Sequence, residues 1–399
     1  MIRYLTAGES HGEALIGIVE GLPAGVPVTR AAINEHLSRR WLGFGRGGRA
    51  KFERDQIHIY SGIRFGLTMG SPVSMRLDNE AYTRDRSGWP DVMSVEGSSE
   101  EIDKVTLPRP GHADLVGTQK YGFDDIRPVI ERSSARETAM RVACCSLARL
   151  FLEALDIHIG SHVFRIGQVG HDHSSEWAEA SAKLVNEGGA RAVFERADQS
   201  ETRMLDEDLT ARCIAHIKEA KKAGDSLGGA YEIIVTGVPV GLGSYVHWDR
   251  RLDGQLAQAI MSIQAQKAVE VGDGIAAATE PGSAIHDPIT GGEGGYGRTQ
   301  NRAGGIEGGM SNGMPIIVRG YMKPIPTLIK PLATVDIASG EAQPTRYERS
   351  DVTSVPAAST VAEGTVALVI ANAVLEKFGG DSLTEIRERV EAARSGPSA

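Results

Sequence analysis

The chain has 399 residues, of which 41% are hydrophobic, and a formal net charge of -9 at pH 7. This composition supplies ample material for a large buried core, and the length alone predicts about two or three domains. The acidic balance argues against a nucleic-acid partner or an anionic membrane surface, and the absence of an uninterrupted apolar run of about 18 residues argues against a spanning helix.

The first part of the chain is predicted to alternate short strands with one helix. Strands are expected over residues 2–6 and 14–22, separated by the turn Gly8-Glu-Ser-His-Gly12. No secretory signal is visible ahead of them, so we expect a cytoplasmic location. Thr29 has the residue type of an N-cap for a helix that ends near Arg40. A basic glycine-rich loop follows over residues 43–49, and alternating β-formers predict strands over 56–63 and 72–77.

One histidine and five arginines, with acids between them, are concentrated between residues 109 and 141. Ser134 and Glu137 have the spacing of a capping box, which would place the free amides of a helix N-terminus beside Arg132 and Arg136. Amides, helix dipole and guanidinium groups would then converge on one multiply charged anion. The alternative is a surface helix whose solvated arginines pair with the neighbouring acids.

Four helices are predicted farther along the chain. Apolar residues recur every three or four positions from 138 to 154 and from 252 to 263, and a third helix is expected over 361–378, ending at Gly379. Ser382 and Glu385 form another capping box at the start of a short last helix. The final residues, 395–399, are predicted to be frayed.

A short pattern occurs twice. The segments Val19-Glu-Gly-Leu-Pro-Ala-Gly-Val26 and Val235-Thr-Gly-Val-Pro-Val-Gly-Leu242 both end a predicted strand. A duplicated β/α layer explains the echo, and so does a recurring strand-exit turn.

Glycine, cysteine and histidine clusters carry further information. Ten glycines fall between residues 291 and 313 with arginines among them, which favours a backbone that approaches a ligand over a flexible linker. The cysteines Cys144, Cys145 and Cys213 lack the spacing of a disulfide framework or a zinc site, so we interpret them as reduced packing residues. The cluster at residues 171–173 (His-Asp-His) lies in a polar loop, and no metal is expected there.

Several side chains are of the types that carry acid–base chemistry. His11 and His112 lie in glycine-containing turns where they are available for proton transfer, although such histidines are often only solvated. Two prolines stiffen the 323–327 segment, which presents one lysine and one threonine. Arg349 and Asp351 point to the same side of an extended segment, either as an ion pair or as a phosphate ligand beside a general base.

Three separated blocks together resemble the chorismate synthase family over nearly the whole chain. They are Gly8-Glu-Ser-His-Gly12, the stretch 120–138, and Arg349-Ser-Asp351 with its Val-Pro-Ala-Ala continuation, while Asn301-Arg-Ala-Gly-Gly and Lys323-Pro-Ile-Pro-Thr327 match in order between them. The resemblance implies a lyase of aromatic amino acid biosynthesis, the shikimate pathway. This enzyme converts 5-enolpyruvylshikimate 3-phosphate to chorismate and phosphate by an anti-1,4 elimination that requires reduced FMN without net redox change.

The resemblance also implies the fold and the assembly. We expect an α/β protein, a layered β-α-β sandwich with pseudo-symmetric halves, in which residues 1–399 form a single compact unit. A homotetramer is implied as well. NADPH or an external flavin reductase would supply the reduced flavin, and the sequence leaves this choice open.

Roles follow from the resemblance position by position. His11 would protonate the departing phosphate, His112 would keep the reduced flavin suitably protonated, and Asp351 would act as the base at the flavin N5. Residues implied in FMN binding are Arg132, Ser133, Ser134, Gln264, Ala265, Gly308, Lys323, Pro324, Ile325, Pro326, Thr327 and Arg349. Residues implied in substrate binding are Ser10, Arg49, Arg109 and Arg136, and the positions associated with NADPH, which would equally contact substrate, are Arg40 and Arg46. A substrate with two carboxylates and a phosphate requires many fixed cations, which these arginines supply.

Two other classes of protein would use part of the same set of residues. A phosphate- or nucleotide-binding module would use the arginines and glycine loops but would not need two turn histidines and Asp351. A flavin oxidoreductase would consume reducing equivalents stoichiometrically. Neither a strand-anchored dinucleotide fingerprint nor a P-loop motif is evident, so the lyase is the favoured hypothesis.

Overall fold

The computed structural model of the chain describes residues 1–47, 54–84, 88–171, 174–292, 295–346 and 351–395. Its strands, in chain order, are β1 (Arg3–Ala7), β2 (Ala14–Glu20), β3 (Ile57–Ile59), β4 (Ile63–Arg64), β5 (Leu67–Thr68), β6 (Val73–Asp78), β7 (His158–Ile166), β8 (Val169–Gly170), β9 (Gly229–Thr236), β10 (Gln266–Val271), β11 (Ile289–Gly292), β12 (Gly295–Arg298), β13 (Ile306–Glu307), β14 (Met310–Ser311), β15 (Ile316–Met322), β16 (Ala333–Val335) and β17 (Ala342–Pro344). Its helices are α1 (Arg30–Arg39), α2 (Glu80–Thr83), α3 (Trp89–Val92), α4 (Asp114–Tyr121), α5 (Arg127–Ser133), α6 (Glu137–Glu153), α7 (Ser174–Asp198), α8 (Glu207–Ala223), α9 (Leu252–Met261), α10 (Gly274–Ala277), α11 (Gly282–Ile285), α12 (Val355–Phe378) and α13 (Leu383–Ser395).

The two largest sheets repeat one strand order. The first is β1-β2-β6-β3, and the second is β7-β9-β15-β10, with β8 added beyond β7. Every neighbouring pair is antiparallel. Helices α6 and α12 pack against each other, α6 also against β1 and β2, and α12 also against β7 and β9. The expected sandwich of sheet, helices and sheet, with pseudo-symmetric halves, is therefore confirmed.

The echoed segments form the same strand exit in both halves. The φ angles of Gly21 and Gly25 are +82° and +84°, and those of Gly237 and Gly241 are +80° and +83°. A Cβ at Gly21 would lie 2.2 Å from a carbonyl oxygen, and one at Gly237 would lie 2.0 Å from another. Glycine is needed at both positions because the backbone is left-handed and the facing chain leaves no room for a side chain.

A hydroxyl residue completes each exit. Thr68 Oγ1 accepts a hydrogen bond from Val26 N at 2.9 Å and donates to the carbonyl of Pro23 at 2.6 Å. Ser311 Oγ makes the equivalent contacts in the second half, at 2.8 Å and 2.6 Å. Equivalent hydrogen bonds in sheets of equal strand order favour a duplicated layer over a chance recurrence of one turn.

Helix α12 lies in the middle of the protein and contains a buried ionic cluster. The carboxylate of Glu363 accepts hydrogen bonds from Arg39, from Arg149 Nη1 at 2.5 Å, from Arg203 Nη2 at 3.2 Å and from Ser161 Oγ at 2.6 Å. Burial alone would raise the pKa of Glu363, but the arginines hold it well below its usual range. The cluster joins α12 to α1, α6 and the second sheet.

Among the described residues, α12 is also the one helix whose length and apolarity would suffice to cross a membrane, and 78% of its most apolar window is buried inside the protein. The sequence contains no uninterrupted apolar run here, because Glu363 lies within the helix. Its burial between α6 and the second sheet is that of a core helix.

Most predicted boundaries agree with the structure, and the differences have local causes. Thr29 Oγ1 caps α1 at Ala32 N, and α12 ends at Gly379, as predicted. Helix α12 begins at residue 355, six residues earlier than expected, because a proline is tolerated in the first helical turn. The strand expected over 56–63 ends after residue 59, and a separate short strand, β4, begins at residue 63. The break between them contains Gly62, whose φ is +82°.

Candidate functional site

A cavity of about 990 Å³ is bounded by the turn after β1, by α3 and α5, by the start of α12 and by the segment after β15. His11, His112 and Asp351 all line it, although they come from three distant parts of the chain. The other predicted residues in its wall are Ser10, Arg40, Arg46, Arg109, Ser133, Ser134, Arg136, Gln264, Ala265, Lys323, Ile325, Pro326 and Thr327.

The remaining predicted residues lie elsewhere. Arg132 lines a neighbouring cavity of about 330 Å³, and Gln264 belongs to the walls of both cavities. Pro324 is not in the wall, although its neighbours on both sides are. Gly308 lies in the turn between β13 and β14, with φ +59°. Arg49 and Arg349 lie outside the described residues.

The turn that carries His11 is fixed by backbone contacts. Gly8 has a φ of +102°, and a Cβ there would lie 2.3 Å from a carbonyl oxygen, so only glycine fits this entry to the turn. The buried side chain of Asn79 donates to the carbonyls of Glu9 and Gly12 at 3.1 Å and 2.7 Å. The turn is thereby held against the end of β6.

His11 is held by two neighbours. Its Nδ1 lies 3.0 Å and 3.1 Å from the carboxylate oxygens of Glu131, and its backbone N–H donates to the same carboxylate at 2.7 Å. The ring stacks on Trp89 with centroids 3.9 Å apart and an interplanar angle of 11°. Because Nδ1 faces Glu131, Nε2 is the nitrogen left for the cavity.

His112 also places Nδ1 on a buried carboxylate, that of Asp114. The same carboxylate accepts hydrogen bonds from Arg109 Nε at 2.8 Å and Nη2 at 3.1 Å. Burial alone would raise the pKa of Asp114, but His112 and Arg109 lower it well below its usual range. Lys323 Nζ donates to the carbonyl of Gly111 at 2.5 Å, which ties the segment after β15 to this turn.

Asp351 lies just before α12, at the opposite end of the sequence from His11. Its carboxylate accepts hydrogen bonds from Gly47 N at 2.5 Å and Ser354 Oγ at 3.0 Å, and it forms an ion pair with Arg46 at 2.7 Å. The basic loop after α1 is thus attached to the candidate base.

Two arginines of the wall share one buried carboxylate. Asp55 accepts from Arg40 Nη1 at 3.1 Å and from Arg136 Nη1 at 2.5 Å. Arg40 also donates to Thr138 Oγ1 at 3.0 Å, and Arg136 donates to Asn79 Oδ1 at 2.9 Å. These contacts fix both guanidinium groups in orientation before any ligand binds.

The predicted capping box at residues 134–137 is wrong. Helix α5 extends to residue 133, so Ser134 is the C-cap of that helix, and α6 begins only at Glu137 without a side-chain cap. The carboxylate of Glu137 instead accepts from Thr6 Oγ1 at 2.9 Å. Arg132 donates to the carbonyls of Gly8 and Thr6. The guanidinium of Arg132 is therefore bound to backbone oxygens of the first strand and the turn after it.

Several residues of the cavity wall were not assigned a role from the sequence, among them Trp89, Arg127 and Glu131. The guanidinium of Arg127 lies 5.7 Å from the centre of the Trp89 ring, and its buried Nε has no hydrogen-bond partner among the described residues. Arg127 and Glu131 lie inside the 120–138 block that matches the family, which was the only available signal. The pairing of Glu131 with His11 spans 120 residues and had no local signal.

Of the glycine-rich region 291–313, the described residues, 291–292 and 295–313, are not part of the cavity wall. Two of its glycines lie close to other backbone of the chain: a Cβ at Gly304 would lie 2.4 Å from Gly272 N, and one at Gly305 would lie 2.5 Å from the carbonyl of Pro315. In the part of the chain that the structure describes, no group of three or more His, Cys, Asp or Glu residues could hold a metal ion. Asp172 and His173 lie outside that part. The three cysteines are buried and free.

Comparisons with known proteins agree with the motif blocks. The family model described as chorismate synthase matches residues 2–375. Chorismate synthase of Salinibacter ruber is 65% identical, with 100% of both chains covered, and that of Chlorobaculum tepidum is 55% identical, with 99% of this chain and 98% of the relative covered. A crystal structure of chorismate synthase superposes with a TM-score of 0.78 at 38% identity, covering 99% of each chain. The chain belongs to the chorismate synthase family.

Proposed function

We propose that the chain is a carbon–oxygen lyase of aromatic amino acid biosynthesis. It converts 5-enolpyruvylshikimate 3-phosphate to chorismate and phosphate, with reduced FMN as cofactor. The observation that carries the proposal is the convergence of His11, His112 and Asp351 on one cavity. Membership of the chorismate synthase family supports the same reaction.

The charge of the described wall suits a small polyanion. Six arginines and Lys323 line the cavity, against two carboxylates in the wall, Glu131 and Asp351, and two directly behind it, Asp55 and Asp114. The excess is three positive charges. A substrate with two carboxylates and one phosphate would neutralise this excess, whereas an uncharged substrate would leave it uncompensated.

The wall also fits a flavin. Gln264 Oε1 is buried without a hydrogen-bond partner among the described residues, and such an acceptor suits the ring N–H groups of FMN. Apolar side chains beside it, Ile263, Met322 and Ile325, suit a planar ring. We propose that the residues holding FMN are those that line the cavity, namely Ser133, Ser134, Gln264, Ala265, Lys323, Ile325, Pro326 and Thr327. Arg132 and Gly308 lie outside this wall, so the proposal does not depend on them.

The residues of the chain then divide the chemistry of the elimination. Reduced FMN, held by these residues, would supply a transiently donated electron, and the reaction would have no net redox change. His11 donates a proton to the departing phosphate, which leaves with the electron pair of its C–O bond. Asp351 is the base to which the proton lost from C6 is finally transferred, and His112 controls protonation around the flavin. Arg109 and Arg136, fixed by buried carboxylates, hold the substrate anions without reorganising.

Arg40 and Arg46 face the same cavity as the histidines, which favours contact with substrate over a separate NADPH site. The source of the reduced flavin, NADPH or an external reductase, is therefore a separate question from the elimination itself. A cytoplasmic homotetramer, as the family resemblance implies, belongs to the same proposal, and sedimentation equilibrium measures its oligomeric state.

An anaerobic assay with chemically reduced FMN and 5-enolpyruvylshikimate 3-phosphate tests the reaction. We expect chorismate and phosphate to appear together. Ligand binding without any product would instead indicate a binding module. Oxidation of one flavin for each product molecule would indicate an oxidoreductase.

A further inference from the structure

The two cavity histidines differ in the carboxylates that hold them. Asp114, behind His112, is also bound by the guanidinium of Arg109. Glu131, behind His11, has no charged partner except His11 in the part of the chain that the structure describes. The side chain of Glu131 is 1% exposed, so water does not replace the missing cation.

We propose that Glu131 is a positioning residue that accepts the Nδ1–H of His11 and balances the charge of the doubly protonated ring, so that Nε2 carries the proton that His11 donates. The inference rests on the proposed function for the fate of that proton. Its structural basis is the contact of both carboxylate oxygens with the ring and the hydrogen bond from the backbone N–H of His11 at 2.7 Å. Stacking on Trp89 fixes the plane of the ring.

The charge of Glu131 gives the contact a direction. A buried carboxylate without a counter-charge is unfavourable, and a second proton on the neighbouring imidazole supplies that counter-charge. The other charged groups on the adjoining elements are Glu9 and Glu13 in the same turn, Asp91 in α3, and Arg127 and Arg132 in α5. Arg132 donates to the carbonyls of Gly8 and Thr6 at 3.1 Å and 2.9 Å. Glu13 is paired with Arg76 at 2.7 Å, and Arg127 lies over Trp89.

The carboxylate of Asp114 does not require a second proton on His112 to balance its charge. The guanidinium of Arg109 already compensates its charge, so the second proton on His112 is not needed for neutrality. The two histidines are thus prepared differently: His11 as an acid, and His112 as a ring held in a fixed orientation.

Glu131→Gln is the direct test, because glutamine keeps the size and one acceptor oxygen but removes the charge. In the anaerobic assay we expect kcat to fall about 100-fold, within the range found when the group that orients a catalytic histidine is replaced. The KM for the substrate should change by less than about 3-fold, since Glu131 has no reason to contact the substrate anions. The high-pH limb of the kcat profile should move to lower pH, because loss of the negative charge disfavours the extra proton on His11. Glu13→Gln, in the same turn but outside the cavity wall, is the matched control and should behave as the wild type.

A second readout does not require turnover. Diethyl pyrocarbonate acylates neutral imidazole, so its rate of reaction at pH 6, followed by mass spectrometry of the peptide containing His11, reports the proton on that ring. We expect this rate to be several-fold higher in Glu131→Gln than in the wild type, with His11→Ala as the background. Equal labelling rates together with an unchanged pH profile would overturn the proposal while leaving the proposed function intact. The expected labelling difference in a protein that forms no chorismate would overturn the proposed function and leave the pairing of Glu131 with His11 supported.

Glu131→Asp covers the case in which the glutamine variant does not fold. Aspartate keeps the negative charge on a shorter side chain, so we expect slow labelling at pH 6 and a kcat within about 10-fold of the wild type. Labelling as fast as that of a free histidine peptide, in a folded aspartate variant, would contradict the proposal.

Discussion

Replacing Glu363 by glutamine is expected to destabilise α12, the helix whose N-terminal end forms part of the cavity wall. The carboxylate of Glu363 is fully buried and accepts hydrogen bonds from three arginines and Ser161. Removing one partner of a buried ion pair typically costs about 3–5 kcal/mol, because the charges left behind are uncompensated. In this cluster, Asp198 would be the remaining carboxylate for Arg39 and Arg203.

The expected shift in melting temperature follows from the chain length. An unfolding entropy of about 2.1 cal/mol/K per residue gives roughly 0.84 kcal/mol/K for 399 residues, so the loss of about 3–5 kcal/mol corresponds to about 4–6 °C. Differential scanning calorimetry at pH 7 measures this shift. Glu153→Gln is the matched control, because Glu153 bonds the same Arg149 at 3.0 Å but its side chain is 26% exposed. Its expected shift is below about 1 °C.

The pH dependence gives a further check on the same cluster. Because the folded-state pKa of Glu363 is lowered from its ordinary value of 4.5, its stabilising contribution is present above that ordinary value and is lost as the pH falls through the folded-state value. The difference between wild type and Glu363→Gln should therefore be constant from pH 6 to 8 and shrink below about pH 4.5. A melting shift no larger than that of Glu153→Gln would refute this account of the cluster.

Three other predictions concern the site and the fold. His11→Ala and His112→Ala should each retain substrate binding but lose about 10²- to 10⁴-fold in kcat, and a wild-type rate in either variant would remove that histidine from the mechanism. Arg127→Ala should raise the KM for the substrate about 10-fold or more, because the buried Nε of Arg127 has no hydrogen-bond partner among the described residues and suits an anion; an unchanged KM in steady-state assays would show that Arg127 serves only to pack on Trp89. Gly237→Ala should lower the denaturant midpoint more than Gly25→Ala, since both positions have a positive φ but only a Cβ at Gly237 meets a carbonyl oxygen, at 2.0 Å. Equal losses would mean that the backbone conformation, and not the close approach, decides the cost.

The sequence predicted those features that depend on neighbouring residues. Thr29 caps α1 and Gly379 ends α12 because caps are set within one helical turn. The prediction of a capping box at Ser134 was wrong because the residues before Ser134 already form α5. The spacing of two residues carries no information about a preceding helix. The duplicated strand exits were visible as an echo, and the structure adds the shared strand order that explains them.

The site could be assembled from the sequence only through the resemblance to a family. Motif positions identified His11, His112 and Asp351, but no local pattern reports that they share a cavity. The residues that orient these three side chains were harder to predict from the sequence. Asp114 lies two residues from His112 and was visible as a candidate partner, whereas Glu131 lies 120 residues from His11 and meets it only because α5 packs against the turn after β1.

We propose that one cationic cavity holds the phosphorylated substrate and the reduced flavin together and that the reaction consumes no electrons. The most direct measurement is the number of chorismate molecules formed for each flavin oxidised, under strict exclusion of oxygen and with FMN well below the substrate concentration. We expect many molecules of product for each flavin, with phosphate and chorismate in equal amounts. A ratio of one product for each flavin oxidised would contradict it.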